Sequence, residues 1–517
     1  MKRFLTLLLS LVLMLPTISL VGCAKEDADK KVIRICNCED YIQEELLEQF
    51  TEETGIEVIY STYGTNENLY NELVINPNSY DLVVPSEYMI EKLAVEGRIQ
   101  PILKNETYAS KLSDYDKNIS PFIKERLKGI KITGENAVAN TTLYDYMVGY
   151  MWGTMGWVYN TDNVTENDVK NWDSVFKNPA LNKKITIKDS VRDSYIIGLA
   201  MVYKNELKPL IDGKETINNQ AITEILNRTD DNSIKLVGEK LNSLKNQLYG
   251  FEVDSGKNDI VLGNIDAYVA WSGDAAYAID VASGDAEDED GTILDANKRR
   301  SLSYYIPDEG SNIWFDGFVM PSGSTNYDAV YKFLEFISRS SSVYENMNYT
   351  GYTSMIAKGK DFELEDEDGK PYSTNLYDEV VVNWFDESED LEDGEGIEVD
   401  LSYFFGQGVD PIKVSKESYG RLIAQYPTKE QVNRCAVMSY FDSDKIMSIN
   451  EMWEEVKGET LPDWVIALTI ILVVILAVGI ILYRNKDKIS WLKLPERKTT
   501  YAQRHNLTLI SKREIKE

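Results

Sequence analysis

Residues 312 to 318, NIWFDGF, set a carboxylate, Asp316, among Trp314, Phe315 and Phe318, with Val319 and Met320 following. Strand interiors disfavour Asp, and burying a carboxylate is costly unless a cation or a hydrogen-bond donor meets it. Two chemistries suit such a group: holding an ammonium by a charge-assisted hydrogen bond, or working with a second carboxylate in glycoside cleavage. Composition removes most others. The single histidine, His505, lies in the C-terminal tail, so the body of the chain can build no Ser-His-Asp, Cys-His or His-zinc site. The cysteines lack C-x-x-C spacing, and neither a G-x-x-x-x-G-K-[ST] loop nor a G-x-S-x-G elbow occurs. The acidic runs 285 to 291, 364 to 370 and 389 to 396 put Ala286, Leu364 and Leu391 where a calcium loop needs ligands, so they read as solvated loops. No metal or cofactor is expected. A formal net charge of −31 excludes a nucleic-acid binder and attracts cations.

The ends of the chain say where this chemistry would happen. Lys2 and Arg3 precede an apolar run from 4 to 21, closed by LVGC at Cys23. That is a secretory signal, and a Cys directly after LVG resembles the bacterial lipoprotein signal, implying removal of 1–22, lipidation of Cys23 and a tether over 23–31. A second uncharged apolar run, 465–483, is long enough to span a bilayer as a helix, with Trp464 and Tyr483 at its edges. The basic segment 484–517 then belongs in the cytoplasm. The expected topology is an extracytoplasmic ectodomain on the cell membrane, anchored to lipid through Cys23 and through the 465–483 helix.

Between the anchors, strand and helix patterns alternate. KVIRICNC reads as a buried strand, and YIQEELLEQFTEETG as a helix with Ile42, Leu46, Leu47 and Phe50 on one face, ended by Gly55. IEVIYSTY, NENLYNELVI, YDLVVPS and EYMIEKLAVEG continue the alternation, which predicts an open parallel α/β sheet. Ligands of such sheets bind beyond the carboxyl ends of the strands, here CNCEDY (36 to 41) and PSEY (85 to 88). Further on, KKITIKDSVRDSY predicts a strand ending near Asp189 to Asp193, and IDAYVAWSGDAAYA one ending at Trp271. The ectodomain is too long for one core, which calls for two lobes and a cleft. Residues 361–420 form an acidic, partly solvated insertion. Cys36 and Cys38 face one side of their strand, and Cys435 is expected to bridge one of them in an oxidising compartment, the alternative being three small buried apolar residues.

LLEQFTEETGIEVIYSTYGTNE, YDLVVPSEYMIEKLAVEGRIQPI, YMWGTMGWVYN, WSGDAAYA and NIWFDGFVMP, in this order, resemble the bacterial spermidine/putrescine-binding proteins of polyamine transporters. The resemblance runs from about residue 32 to 355 and resumes weakly from Tyr426 to Lys457. It implies a two-lobed α/β periplasmic-binding-protein fold, type II-like, with the ligand in an interlobe cleft. The implied lobes are 32–152 with 317–360, and 153–316 with 421–458. Carried over by position, Cys38, Glu39, Asp40 and Tyr41 match an aromatic, a small polar residue, an acid and a Tyr of the family's site, the aromatic being absent here. Ser86, Tyr88, Asp193, Trp271, Trp314 and Tyr352 match ligand contacts, Asp274 resembles the acid of putrescine receptors, and Asp316 matches the central amine-binding acid. Ser190 stands where spermidine receptors carry Asp, and Met438 where a polar side chain is expected.

The resemblance implies a non-enzymatic receptor that takes putrescine or spermidine and delivers it to a membrane-embedded ABC permease. Ammonium ends want carboxylates and methylenes want apolar walls, and aromatic faces supply burial and cation–π attraction together. Three other readings remain at this level, one of them a permease-associated structural subunit, because substrate-binding proteins need no transmembrane span. A surface-anchored glycosidase would use Asp316 and Asp274 as acid and nucleophile, and a receptor for another small cation would use the same walls.

Overall fold

A computed structural model describes residues 31–214, 217–287, 291–366, 369–392 and 394–458. The signal segment, Cys23, the 465–483 span, the basic tail and His505 lie outside the described residues. Among the described residues, no helix is long and apolar enough to cross a membrane.

The first block of sheet follows from apolar alternation punctuated by helices. β1 (Val32–Cys38) pairs in parallel with β2 (Glu57–Tyr63) and with the short β3 (Leu82–Val83). The helix Glu44–Thr54 returns the chain between β1 and β2, burying Leu46 and Phe50 and ending at Gly55 in the left-handed conformation, whose amide donates to the Thr51 carbonyl. Thr65 caps the helix Asn66–Ile75 by accepting from the Asn68 amide. β4 (Ile99–Gln100), β5 (Lys131–Ile132) and β6 (Thr141–Thr142) are short additions.

The centre of the sheet departs from the all-parallel expectation. β7 (Met147–Asn160) is buried along its whole length and is followed by β8 (Ile185–Lys188), β9 (Gly250–Glu252), β10 (Ala267–Trp271), β11 (Leu302–Tyr305) and β12 (Ile313–Pro321). The strand order is β2-β1-β3-β12-β7-β10-β8-β9 within an 11-stranded sheet, completed by β4, β11 and β13 (Thr353–Ser354). β8 is parallel to β9 and β10, while β12 runs antiparallel to β3 and to β7, and β10 antiparallel to β7. Two parallel blocks are thus joined through two long antiparallel strands. Apolar side chains collect in two clusters, one including Ile35, Phe50, Leu93, Phe318 and Phe333, the other Trp157, Trp172, Ile187, Leu199 and Trp453.

The strand expected to end between Asp189 and Asp193 stops at Lys188. Ser190 accepts a hydrogen bond from the Asp193 amide and starts the helix Val191–Val202, so Asp193 sits in a first helical turn. Cys36, Cys38 and Cys435 are free thiols, which corrects the expected bridge. Cys36 is buried on β1, whereas the Cys435 thiol donates to the Gln431 carbonyl at 3.3 Å in the C-terminal segment.

The stretch 361–420 forms the hairpins β14 (Phe362–Glu365) with β15 (Pro371–Thr374) and β16 (Ile397–Val399) with β17 (Ile412–Val414). Many of its described acids are exposed, but Glu379, Leu376, Val381, Phe385 and Phe404 are buried, and Phe404 stacks on Trp152 at 5.1 Å.

Candidate functional site

Asp316 owes its direction to an irregularity between β12 and β7. Asp316 pairs with Met151 and Gly317 with Gly149, so the register shifts there and Tyr150 has no partner on β12. A bulge of this kind re-aims a side chain. On the other edge, Asp316 bridges Ser86, and the Gly317 amide donates to the Pro85 carbonyl at 3.3 Å. Trp314 lies opposite Gly153, where a Cβ would stand 2.5 Å from the indole, so glycine is what lets the ring lie there.

The Tyr41 hydroxyl donates to Asp316 Oδ2 at 2.8 Å. Asp316 Oδ1 and the Trp314 indole nitrogen are buried and have no hydrogen-bond partner among the described residues. Burial pushes the Asp316 carboxyl up to about 6, against the opposing pull of the Ser86 and Tyr41 hydroxyls. Around it the rings of Tyr41, Tyr150, Tyr352 and Trp314 meet edge to face at 5.3 to 5.6 Å. One carboxylate oxygen enclosed by aromatic rings is an acceptor prepared for a cationic donor.

Asp274 lies in the first turn of the helix Ser272–Ser283, directly after β10. Its Oδ1 accepts from the Tyr352 hydroxyl at 2.9 Å, and its Oδ2 is 3.4 Å from the Lys188 ammonium. The Tyr352 ring reaches it across Gly273, where a Cβ would come within 2.4 Å of the ring carbons. Lys188, the last residue of β8, is 1 % exposed. It donates to the Val253 carbonyl at 2.7 Å, stands 3.9 Å from Glu252 Oε1, and lies 4.2 Å from the centroid of the Trp271 ring. Asp193 is 5 % exposed, and burial raises its pKa against the pull of Ser190, Lys188, Trp271 and Arg192.

Of the residues singled out from sequence, Tyr41, Ser86, Trp314, Asp316, Tyr352, Asp274, Trp271 and Asp193 form this continuous set of contacts. Tyr88 lies beside it, its ring 3.9 Å from the Arg192 guanidinium and its hydroxyl donating to Glu67 at 3.2 Å. Glu39 and Asp40 stand exposed on the turn after β1, Asp40 with a φ of 50°. Met438 is buried in the second apolar cluster.

Three residues that sequence reasoning passed over do structural work here. Asn66 clasps Ser86, donating to its hydroxyl and accepting from its amide, both at 3.1 Å. Glu87, 1 % exposed, accepts from the Phe315 amide at 2.9 Å and so ties the PSEY turn to β12. Burial holds the Glu87 carboxyl up at about 8, which leaves it mostly neutral at pH 7. Lys188 is the third. A lone charge in the strand ITIK was the same signal as the Asp in NIWFDGF. Among the described residues, no group of three or more His, Cys, Asp or Glu is placed to hold a metal ion. Asp274 holds Tyr352 on one oxygen and Lys188 on the other.

The putrescine-binding periplasmic protein SpuD of Pseudomonas aeruginosa is 30% identical over 346 residues, covering 66% of this chain and 81% of that protein. The spermidine/putrescine-binding periplasmic protein of Salmonella typhimurium is 27% identical over 330 residues, covering 64% of this chain and 79% of its own. In solved structures, a spermidine/putrescine ABC transporter substrate-binding protein from Streptococcus pneumoniae superposes with a TM-score of 0.53 at 23% identity, covering 83% of this chain and 98% of that one. The fold is therefore the two-lobed, mixed α/β fold of periplasmic binding proteins. These relatives are named as binding proteins, two of them periplasmic and one the substrate-binding protein of an ABC transporter. The family model for bacterial extracellular solute-binding proteins matches residues 45–366, more than half of the sequence, and the chain belongs to that family.

Proposed function

We propose that the chain is the extracytoplasmic substrate-binding component of an ABC transporter for polyamines, capturing putrescine or spermidine and passing it to a membrane-embedded permease. One observation carries this reading: Asp316 is walled by Tyr41, Trp314 and Tyr352 and keeps a buried carboxylate oxygen without a partner among the described residues. An alkylammonium supplies the missing donor, and its methylenes lie against the rings. The names of the relatives point to the same ligand class.

The finer parts of the reading extend this core. The lobes are 32–152 with 317–360 and 153–316 with 421–458, giving a type II-like arrangement, and the ligand lies between them against Tyr41, Ser86, Tyr88, Asp193, Trp271, Asp274, Trp314, Asp316 and Tyr352, with Glu39 and Asp40 at the mouth. The protein is held at the membrane by a lipid on Cys23 and by the 465–483 helix, with 484–517 in the cytoplasm. Calorimetric titration of the full-length protein with putrescine, spermidine and thiamine tests the ligand class. Saturable heat with a polyamine and none with thiamine is expected; the reverse would assign the site to another cation.

A further inference from the structure

The two ends of the site treat positive charge differently. At Asp316 one buried acceptor oxygen has no partner among the described residues. At Asp274 the place of a cation is taken by the protein itself. The Lys188 ammonium lies 3.4 Å from Asp274 Oδ2, 3.9 Å from Glu252 Oε1 and 4.2 Å from the Trp271 centroid, and it donates to the Val253 carbonyl at 2.7 Å. A carboxylate pair, an aromatic face and a carbonyl are the surroundings an amine ligand would seek, and Lys188 fills them from a position 1 % exposed. A second internal cation stands nearby. The Arg192 guanidinium covers Tyr88 at 3.9 Å and Phe441 at 4.6 Å and donates to the Ser439 carbonyl. The charged groups at this end are Asp193, Glu252, Asp254 and Asp274, with Glu91 near Arg192, against Lys188, Arg192 and Lys257, so part of the negative charge is offset within the protein.

We propose that Lys188 is a specificity-determining residue: its ammonium occupies the second cation position, so a ligand is anchored through one ammonium at Asp316 and each further ammonium is penalised by like charge. The site then takes amines of low charge, and a triamine gains little over a diamine. This rests on the amine-binding reading of Asp316. The charge is supplied in cis by β8, which distinguishes it from a metal or ligand that could be dialysed away.

The test is a charge series of similar carbon skeletons, butylamine, putrescine and spermidine, titrated at low salt into full-length wild type, Lys188→Met and Lys188→Arg. Met keeps the length of the side chain and removes the ammonium, which frees Asp274 and Glu252 for a ligand. The putrescine-to-butylamine affinity ratio is expected to rise at least tenfold in Lys188→Met and to stay at the wild-type value in Lys188→Arg. A merely structural lysine would weaken all three amines together and leave the ratio unchanged, and that result overturns the inference. If Lys188→Met does not fold alone, refolding in putrescine or in butylamine reads the same preference. Recovery in the diamine supports the assignment, and equal recovery, or none in either, overturns it. Failure of every amine to bind wild type would overturn the amine reading of Asp316 and this inference with it, whereas binding with an unchanged ratio overturns only the role of Lys188.

Discussion

Asp316 and Asp274 are both carboxylates set among aromatic rings, yet their partners differ. Asp316 has the Tyr41 hydroxyl on one oxygen and none among the described residues on the other. Asp274 has the Tyr352 hydroxyl on one oxygen and the Lys188 ammonium on the other. Tyr352 touches both regions, its ring against Tyr41 and Trp314 and its hydroxyl on Asp274. A buried carboxylate oxygen without a partner costs stability and is ready to accept a donor, whereas one facing a buried ammonium offsets a charge that would be costly alone. On the function proposed above, Asp316 anchors the ligand's ammonium, while Asp274 borders the other end of the site and holds Lys188 there.

The largest expected effect separates them by sign. Asp274→Asn leaves the Lys188 ammonium buried beside a single, more distant carboxylate, Glu252, and should lower stability by about 3 kcal/mol. Asp316→Asn should instead stabilise the ligand-free protein at pH 7. The carboxyl titrates near 6 in the folded chain and near its ordinary value when unfolded, so the folded state binds the extra proton between these values. Stability therefore falls as pH rises through that window, and removing the charge recovers about 1–3 kcal/mol above it and nothing below pH 4. Urea unfolding of both variants at pH 4 and pH 7.5 reads the opposite signs. Loss of stability in both would dissolve the comparison.

Next in size is the loss of ligand. Asp316→Asn should weaken putrescine binding by about tenfold or more, since hydrogen bonds to charged groups contribute roughly 1.5–3 kcal/mol. Glu87 sharpens the point. Its carboxyl holds β12 through the Phe315 amide and is mostly neutral at pH 7, so Glu87→Gln should bind putrescine within about threefold of wild type while Glu87→Ala loses stability by about 1–3 kcal/mol. Tight binding by Glu87→Ala with unchanged stability would show that the PSEY turn does not position Asp316.

The order of elements was legible because β1 and the helix after it bury apolar faces, and Gly55 ends that helix in the left-handed conformation. Asp316 was legible because a carboxylate in an aromatic strand is out of place unless it has a use. Its partner was not: Tyr41 is 275 residues away, and local pattern carries no trace of such a contact apart from family resemblance. Lys188 offered the same local oddity as Asp316, but its meaning came from Asp274, 86 residues on. The antiparallel centre was hidden because β7 and β12 are buried on both faces, and continuous apolar strands do not report direction. In 361–420 the acidic composition masked Phe404 and its stacking on Trp152. The expected cysteine bridge came from compartment and count, which say nothing about distance.

The smallest effect concerns the aromatic wall. Trp271 already faces Lys188, so Trp271→Leu should cost a putrescine ligand only about threefold, with little change between low and high salt, consistent with a cation–π share near 0.5–1 kcal/mol. A tenfold loss would place the ligand's own ammonium over Trp271.

Isothermal titration of the full-length protein with putrescine at pH 7.5 and pH 5 bears most directly on Asp316 as the amine anchor. With the carboxyl titrating at about 6, protonation at pH 5 should weaken binding by about tenfold in wild type. Asp316→Asn, already weak, should bind equally at both pH values. Wild-type affinity that is the same at pH 5 and pH 7.5, or an Asp316→Asn protein that binds as tightly as wild type, would contradict it.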